Sequence, residues 1–438
     1  MSAHPFLQRV RDLELVRPVG FVRKVAHGHF EATGPACTVG DLCEIEAEGA
    51  PVLAEVAAVD EHGLVLVPLE QNRQVRPTAR VRALPSGGAT PVGAGFAGRA
   101  VDALGRPLDG KGRIPAEAHV PLAGSVPRPL ERAAPRRKVL TGLRAIDGLL
   151  TLAEGQRVGI FAAAGVGKTS LLEQLAGQIE CDRCVLCLVG ERGREVEGIW
   201  RTLSARKDAG RFTLVAATSD ETAALRARAV NAALCLAEYW RARGEHVLLV
   251  VDSVTRLAMA LREVGLAAGE PPTVRAYTPN VFAALPRLVE RCGATTAGGA
   301  ITAVMTVLSE TDDVDDPIVE VMKSLLDGHV LLSRTLAERG HFPAIDLSRS
   351  ISRQAARLMD ADHAAAARIA VSQLGIYDEA RVMIESGVYK NGANAEIDQA
   401  IAMRGRLMAF LRQGQEERMA FADTLAGLRA ATGSAGHA

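Results

Sequence analysis

The sequence predicts a mixed α/β protein in three parts: a small β-barrel, a core of parallel sheet covered by helices, and a C-terminal helical domain. Three observations predict it. Short apolar strands with turn punctuation fall between residues 18 and 95, strand and helix patterns alternate from Arg157 onward, and the chain after Ser352 turns helical and rich in Ala. Length agrees: 438 residues at about 150 per domain give about three domains, and 48% hydrophobic residues supply their cores.

The barrel strands are read at 20–25, 52–56, 63–67 and 80–84. Before them, Phe6, Val10 and Leu13 share one face of a short helix that either packs on a partner or frays. Gly/Pro-rich passages at 105–112 and 121–135 read as turns and linker. The core alternates: strand 158–162, helix from Lys168, strand 185–189, helix 196–205 and strand 212–216. A helix with Asp220 as its N-cap then runs to about Gly244, and strands follow at 247–251, 300–307 and 329–332. Such alternation means a parallel sheet with helices on both faces. Helices at 355–374, 397–411 and 416–428 complete the chain, and the three domains are placed at 1–95, 96–352 and 353–438.

Lys plus Arg and Asp plus Glu number 51 each, so no global basic field favours nucleic acid, and 4% aromatics leave few stacking platforms for single strands. No nucleic-acid partner is expected. The aliphatic run 247–251 is far short of the ~20 residues a membrane helix needs, and the N-terminus lacks a signal-peptide pattern, so the expected location is cytoplasmic. Seven cysteines form an odd set, expected to stay reduced. Cys181, Cys184 and Cys187 have a metal-like spacing without a fourth ligand, and they lie on an apolar strand whose alternation turns Cys184 and Cys187 to opposite faces. Buried thiols are the expectation.

The chemistry concentrates at Ala162, Ala163, Ala164, Gly165, Val166, Gly167, Lys168, Thr169 and Ser170. Between a strand and a helix, a G-x-x-x-x-G-K-[ST] run cradles phosphates on successive N–H groups; its Lys reaches the β/γ-oxygens and its hydroxyl binds Mg²⁺. Only the first glycine differs, being Ala162. A second magnesium anchor is expected at the tip of a hydrophobic strand, and Asp252 ends the run 247–251. Ser253 follows where many such enzymes carry a Glu, so the water-orienting acid must come from elsewhere. Glu191 is read as that acid and Arg192 as a γ-phosphate clamp, both at the C-terminal end of strand 185–189 where ligands of open α/β sheets bind.

The runs GERGREV at 190–196, DSVTRLAMALREVGLAAGEPP at 252–272, VFAALPRLVER at 281–291, LLDGHVLLSRTLAERGHFPAID at 325–346 and SISR at 350–353 resemble the ATPases of type III secretion systems. These are relatives of the rotary ATP synthase catalytic subunit. Segments 144–162 and 105–112 are similar to the same family. The resemblance spans nearly the whole chain, flagellar export and injectisome ATPases share these motifs, and the ending FADTLAGL at 421–428 is closer to the injectisome branch.

The resemblance implies a RecA-like P-loop ATPase core that hydrolyses Mg²⁺-ATP, in a homohexamer with active sites at subunit interfaces. It also implies a central stalk protein, a peripheral stator or regulator, secretion substrates with their chaperones, and a place at the cytoplasmic face of the inner membrane. Arg353 matches an arginine finger reaching the neighbouring subunit's site, and Glu195 a position near the magnesium waters. Arg256, one helical turn beyond Asp252, is a weaker candidate. The acidic stretch 310–317 is expected near the central channel, against the stalk. Flagellar relatives, like the rotary subunits, tend to carry an adenine-stacking Tyr after Arg353 where this chain has Ala364, and Tyr389 is the candidate replacement. Two other classes remain open: a hexameric RNA translocase, disfavoured by a barrel whose only aromatics are Phe21 and Phe30, and a non-catalytic ring subunit, disfavoured by Glu191.

Overall fold

A computed structural model describes residues 18–71, 74–135, 137–309 and 316–433. The expected N-terminal helix face and the acidic residues 310–315 lie outside these.

Six strands, β1 (Val19–Ala26), β2 (His29–Ala32), β3 (Leu42–Ile45), β4 (Val52–Asp60), β5 (Gly63–Pro68) and β6 (Arg80–Ala83), close into an antiparallel barrel in the order β1-β2-β5-β4-β3-β6. Alternation builds it: along β4, Val52, Ala54 and Val56 are buried while Leu53 and Glu55 are half-buried. With Val22, Phe30, Ile45, Leu66 and Val81 they fill the interior. At four residues each, β2 and β3 are too short for a period of two to show in the sequence.

The core is a sheet of β7 (Arg99–Val101), β8 (Arg157–Ala162), β9 (Arg183–Val189), β10 (Phe212–Ala217), β11 (His246–Asp252), β12 (Ala300–Leu308), β13 (Gly328–Leu332) and β14 (Ile345–Ser352). Their order is β14-β13-β8-β12-β11-β9-β10-β7, with Gly293–Ala294 pairing antiparallel against β12. Every other pair is parallel except β13 with β14. One face packs on α3 (Ala223–Arg241), α4 (Val254–Ala267), α5 (Pro279–Glu290) and α6 (Pro317–Leu325), the other on α1 (Lys168–Gln178) and α2 (Gly193–Ser204) together with C-terminal helices α7 (Ala361–Glu385), α8 (Ala395–Leu411) and α9 (Phe421–Thr432). Cys187 belongs to the first core and Cys184 to the second, three residues apart on β9; burial pushes both thiols up and leaves them protonated.

Several expected boundaries move. Thr222, not Asp220, caps α3, its hydroxyl accepting from the Leu225 N–H, and α2 starts at Gly193 rather than 196. The helix expected at 355–374 is a single turn at Ala355–Leu358 followed by α7, which is capped by Asp360 and runs on to Glu385, and the helix expected from 416 starts at Phe421 as α9. The edge strands β7 and β14 escape the sequence reading: three residues show no pattern, and β14 carries Ser348, Arg349 and Ser350 in its second half. Arg228 of α3, 2% exposed, bolts the barrel to the core, pairing with Glu55 at 2.9 Å and donating to the Gly88 carbonyl at 2.7 Å. On the other side, buried Gln413 joins the segment between α8 and α9 to the core, donating to the Gly142 carbonyl at 2.7 Å and accepting from the Arg144 N–H at 2.8 Å. No described helix is long and apolar enough to cross a membrane.

Candidate functional site

Parallel strands bring their C-terminal ends to one edge, and three of them deliver the predicted residues there. At the end of β8 the chain leaves the sheet at buried Ala162 and loops through Ala163, Ala164, Gly165, Val166 and Gly167 into α1, which opens on Lys168. Ala162 sits in extended strand, so its Cβ costs nothing. Gly165 (φ +79°) and Gly167 (φ +91°) take left-handed turns that favour glycine. Val166, buried, anchors the loop from below, while Ala164, Gly165, Thr169 and Ser170 are exposed. The N–H groups of the first turn of α1 have no partner within the helix and face the loop, an arrangement that attracts anions.

Glu191 follows β9 and Asp252 ends β11, one strand away. Lys168 Nζ contacts Asp252 Oδ1 and lies 3.4 Å from Glu191 Oε1. Glu191 Oε2 is 2.8 Å from Arg256 Nη1, and the same guanidinium donates to the Gly190 carbonyl. Gly190 (φ +67°) makes this approach possible, because a Cβ there would stand 3.0 Å from Arg256 Cδ. Thr306 Oγ donates to Asp252 Oδ1 at 2.6 Å. The side chains of Asp252 and Glu191 are 2% and 6% exposed, so their pairing with Lys168 and Arg256 is what makes burial of two carboxylates tolerable. Arg256, weighed lightly in the sequence, is therefore the guanidinium that grips Glu191. An incoming polyphosphate offers Lys168 a further anionic partner and finds Glu191 beside the same ammonium.

The remaining residues are placed differently. Arg192 is exposed at the N-cap of α2 next to Glu191, and Glu195 is half-buried in the first turn of that helix. Arg353 lies at the opposite edge of the sheet. β14 runs antiparallel, Ser352 pairs with Gly328 at the start of β13, and the length of β8, roughly 16 Å at ~3.3 Å per residue, separates Arg353 from its own phosphate loop. Within one chain it cannot reach that loop.

A family model described as the ATP synthase alpha/beta family, nucleotide-binding domain, matches residues 142–352, and one described as the T3SS EscN ATPase C-terminal domain matches residues 359–430. The chain is 42% identical to the flagellum-specific ATP synthase of Bacillus subtilis, over 99% of this chain and 100% of that one. It belongs to the type III secretion and flagellar export ATPase family. The type 3 secretion system ATPase of Xanthomonas euvesicatoria is 40% identical, over 99% of this chain and 100% of its own. Among solved structures it is similar to the assembled ATPase EscN of the enteropathogenic E. coli type III secretion system (TM-score 0.89, 37% identity, 94% of this chain and 100% of that one). It is also similar to EscN in complex with its central stalk EscO (TM-score 0.84, 36% identity, with the same coverage).

In this member of the family a cleft of about 350 Å³ opens beside the phosphate loop, lined among others by Gly167, Ser170, Gln174, Phe342, Pro343 and Gln413. Phe342 is 44% exposed, and a Cβ on Gly167 would come within 3.3 Å of its ring. Tyr389 is not among the lining residues. Its hydroxyl donates to Asp398 Oδ1 and sits 2.9 Å from the Asn394 carbonyl, tying down the connection between α7 and α8. The structure thus places an aromatic at the cleft that the sequence reading passes over while searching beyond Arg353. The available signal was an aromatic–proline pair, which stands in the turn just before β14, inside the run 325–346 that carries the family resemblance.

Proposed function

We propose that the chain hydrolyses Mg²⁺-ATP to drive protein export through a type III apparatus, as a ring whose active sites are completed by neighbouring subunits. The observation that carries this is Lys168 held between Asp252 and Glu191 at the mouth of a phosphate loop. Lys168 and the loop N–H groups take the β- and γ-phosphates. Glu191, steadied by Arg256, accepts a proton from the water that attacks the γ-phosphorus opposite the leaving ADP oxygen. Arg192 and a neighbour's Arg353 balance charge on the transferring phosphoryl. The position of Arg353, at the sheet edge away from its own loop, supports the trans assignment.

The residues present fit a magnesium ion. Thr169 offers an exposed hydroxyl, and Asp252 a carboxylate whose described bonds all fall on Oδ1, both hard oxygen donors of the kind Mg²⁺ takes. Glu195, in the first turn of α2, is proposed to hold its waters. Bound there, the ion would neutralise charge on the β- and γ-oxygens.

Adenine is proposed to stack on Phe342. Phe342→Ala is expected to raise KM for ATP about 10-fold, with kcat changed less than about 2-fold, because stacking of a base on an aromatic side chain is worth roughly 1–3 kcal/mol. Steady-state kinetics decide this; an unchanged KM would remove Phe342 from the base site.

A homohexamer on a central stalk is supported by the likeness to assembled EscN and its stalk complex. A stator, chaperones with their secretion substrates, and attachment at the cytoplasmic face of the inner membrane belong to the same proposal, as do working units at 1–95, 96–352 and 353–438. The injectisome branch is favoured by FADTLAGL and by Ala364, while the relatives carry both names. A strain lacking this chain should lose secreted effectors and keep its motility. Wild-type chain should restore secretion and Glu191→Gln should not. Loss of flagella instead would assign the flagellar branch.

A further inference from the structure

At the sheet edge opposite the phosphate loop, the fully buried Gln156 organises a hydrogen-bond circuit. Its Nε2 donates to Ser352 Oγ at 3.0 Å and to the Asp327 carbonyl at 3.2 Å, and its Oε1 accepts from the Ala153 N–H at 2.8 Å. Ser352 Oγ donates onward to the Thr151 carbonyl at 3.0 Å. The Arg353 N–H donates to the same Asp327 carbonyl at 2.9 Å, while its exposed guanidinium makes one longer bond, from Nη2 to the Lys323 carbonyl at 3.3 Å. The Asp327 carboxylate clasps Arg157 with Nε–Oδ2 at 2.9 Å and Nη2–Oδ1 at 3.1 Å, and also accepts the Arg157 N–H at 3.1 Å. Arg157 opens β8, the strand that ends in the phosphate loop. The backbone of an exposed arginine is therefore fixed from several sides to the root of the strand carrying the subunit's own nucleotide site.

We infer that Gln156, Ser352 and Asp327 are positioning residues for Arg353, seating the finger a subunit lends its neighbour on the strand that carries its own phosphate loop. This rests on the trans reading of Arg353. None of the three need touch nucleotide in either subunit. They act by fixing where the guanidinium points, and displacement of such a group by about 1 Å can cost about 10²-fold in rate.

The test is a double-mutant cycle on full-length rings, measuring kcat, KM for ATP and Kd for a fluorescent ATP analogue. Ser352→Ala is expected to lower kcat about 10-fold with KM and Kd unchanged, and Ser352→Thr, which keeps the hydroxyl, to retain most of the rate. In an Arg353→Ala background, Ser352→Ala should cost less than about 2-fold, since its only route to the chemistry is gone. Gln156→Met, which keeps the side-chain volume, should show the same background dependence. Equal losses in both backgrounds, or no loss in the wild-type background, would overturn the positioning role while leaving the finger intact. Arg353→Ala turning over at the wild-type rate would sink the trans reading itself, and this inference with it.

Discussion

Lys168→Ala is expected to lower ATP turnover at least about 10³-fold, because the ammonium is the one side-chain cation aimed at the phosphate loop from within it. The same change should lower the unfolding temperature. Asp252 and Glu191 are almost wholly buried and both lean on Lys168, and removing one member of such a cluster leaves carboxylates short of a counter-charge, at a cost of about 3–5 kcal/mol where partners are fully enclosed. Arg256 still faces Glu191, and Thr306 still bonds Asp252, so the loss should fall at the low end of that range. Phosphate release and thermal melting on one preparation check both effects. A variant as active as wild type would remove the phosphate loop from the chemistry.

Glu191→Gln is expected to bind ATP with an affinity within a few-fold of wild type and to lower kcat about 10²–10⁴-fold, the range supplied by a positioned general base. The substitution keeps the shape of the side chain and its capacity to accept from Arg256, so the site should stay assembled while losing the group that takes the proton. Binding of a fluorescent ATP analogue, followed by single-turnover phosphate release, separates the two steps. Normal turnover by the variant would refute the base assignment and turn attention to Glu195, the other acid of the 190–196 run.

Much of this site was legible in the sequence because its elements are local. Strand, loop and helix around Lys168 lie within about twenty residues, and the apolar runs 184–189 and 247–251 inside β9 and β11 announce buried parallel strands whose ends must hold something polar. Arg256 was harder to weigh. Helical spacing put it one turn past Asp252, but its reach to Glu191 depends on β9 and β11 being neighbours and on the bare Cα of Gly190, which are matters of topology. Phe342 was passed over for the same reason: it lies 174 residues beyond Lys168 in the chain, and β13 beside β8 is what brings its loop over Gly167. Asp327 and Gln156 lie inside the family-like runs 325–346 and 144–162, but nothing in their residue type or spacing marks a chemical role. Their roles come from the antiparallel return of β14, a strand whose polar second half hides it from any periodicity argument.

The central claim is that one active site draws Lys168 and Glu191 from one subunit and Arg353 from the next. Mixing rings of Lys168→Ala with rings of Arg353→Ala, each nearly inactive alone, tests it most directly. After subunit exchange at equal amounts, about a quarter of the interfaces should join an intact phosphate loop to an intact finger, and ATPase activity should rise to a matching fraction of wild type. A mixture no more active than the average of its two parents, with exchange verified, would contradict the account.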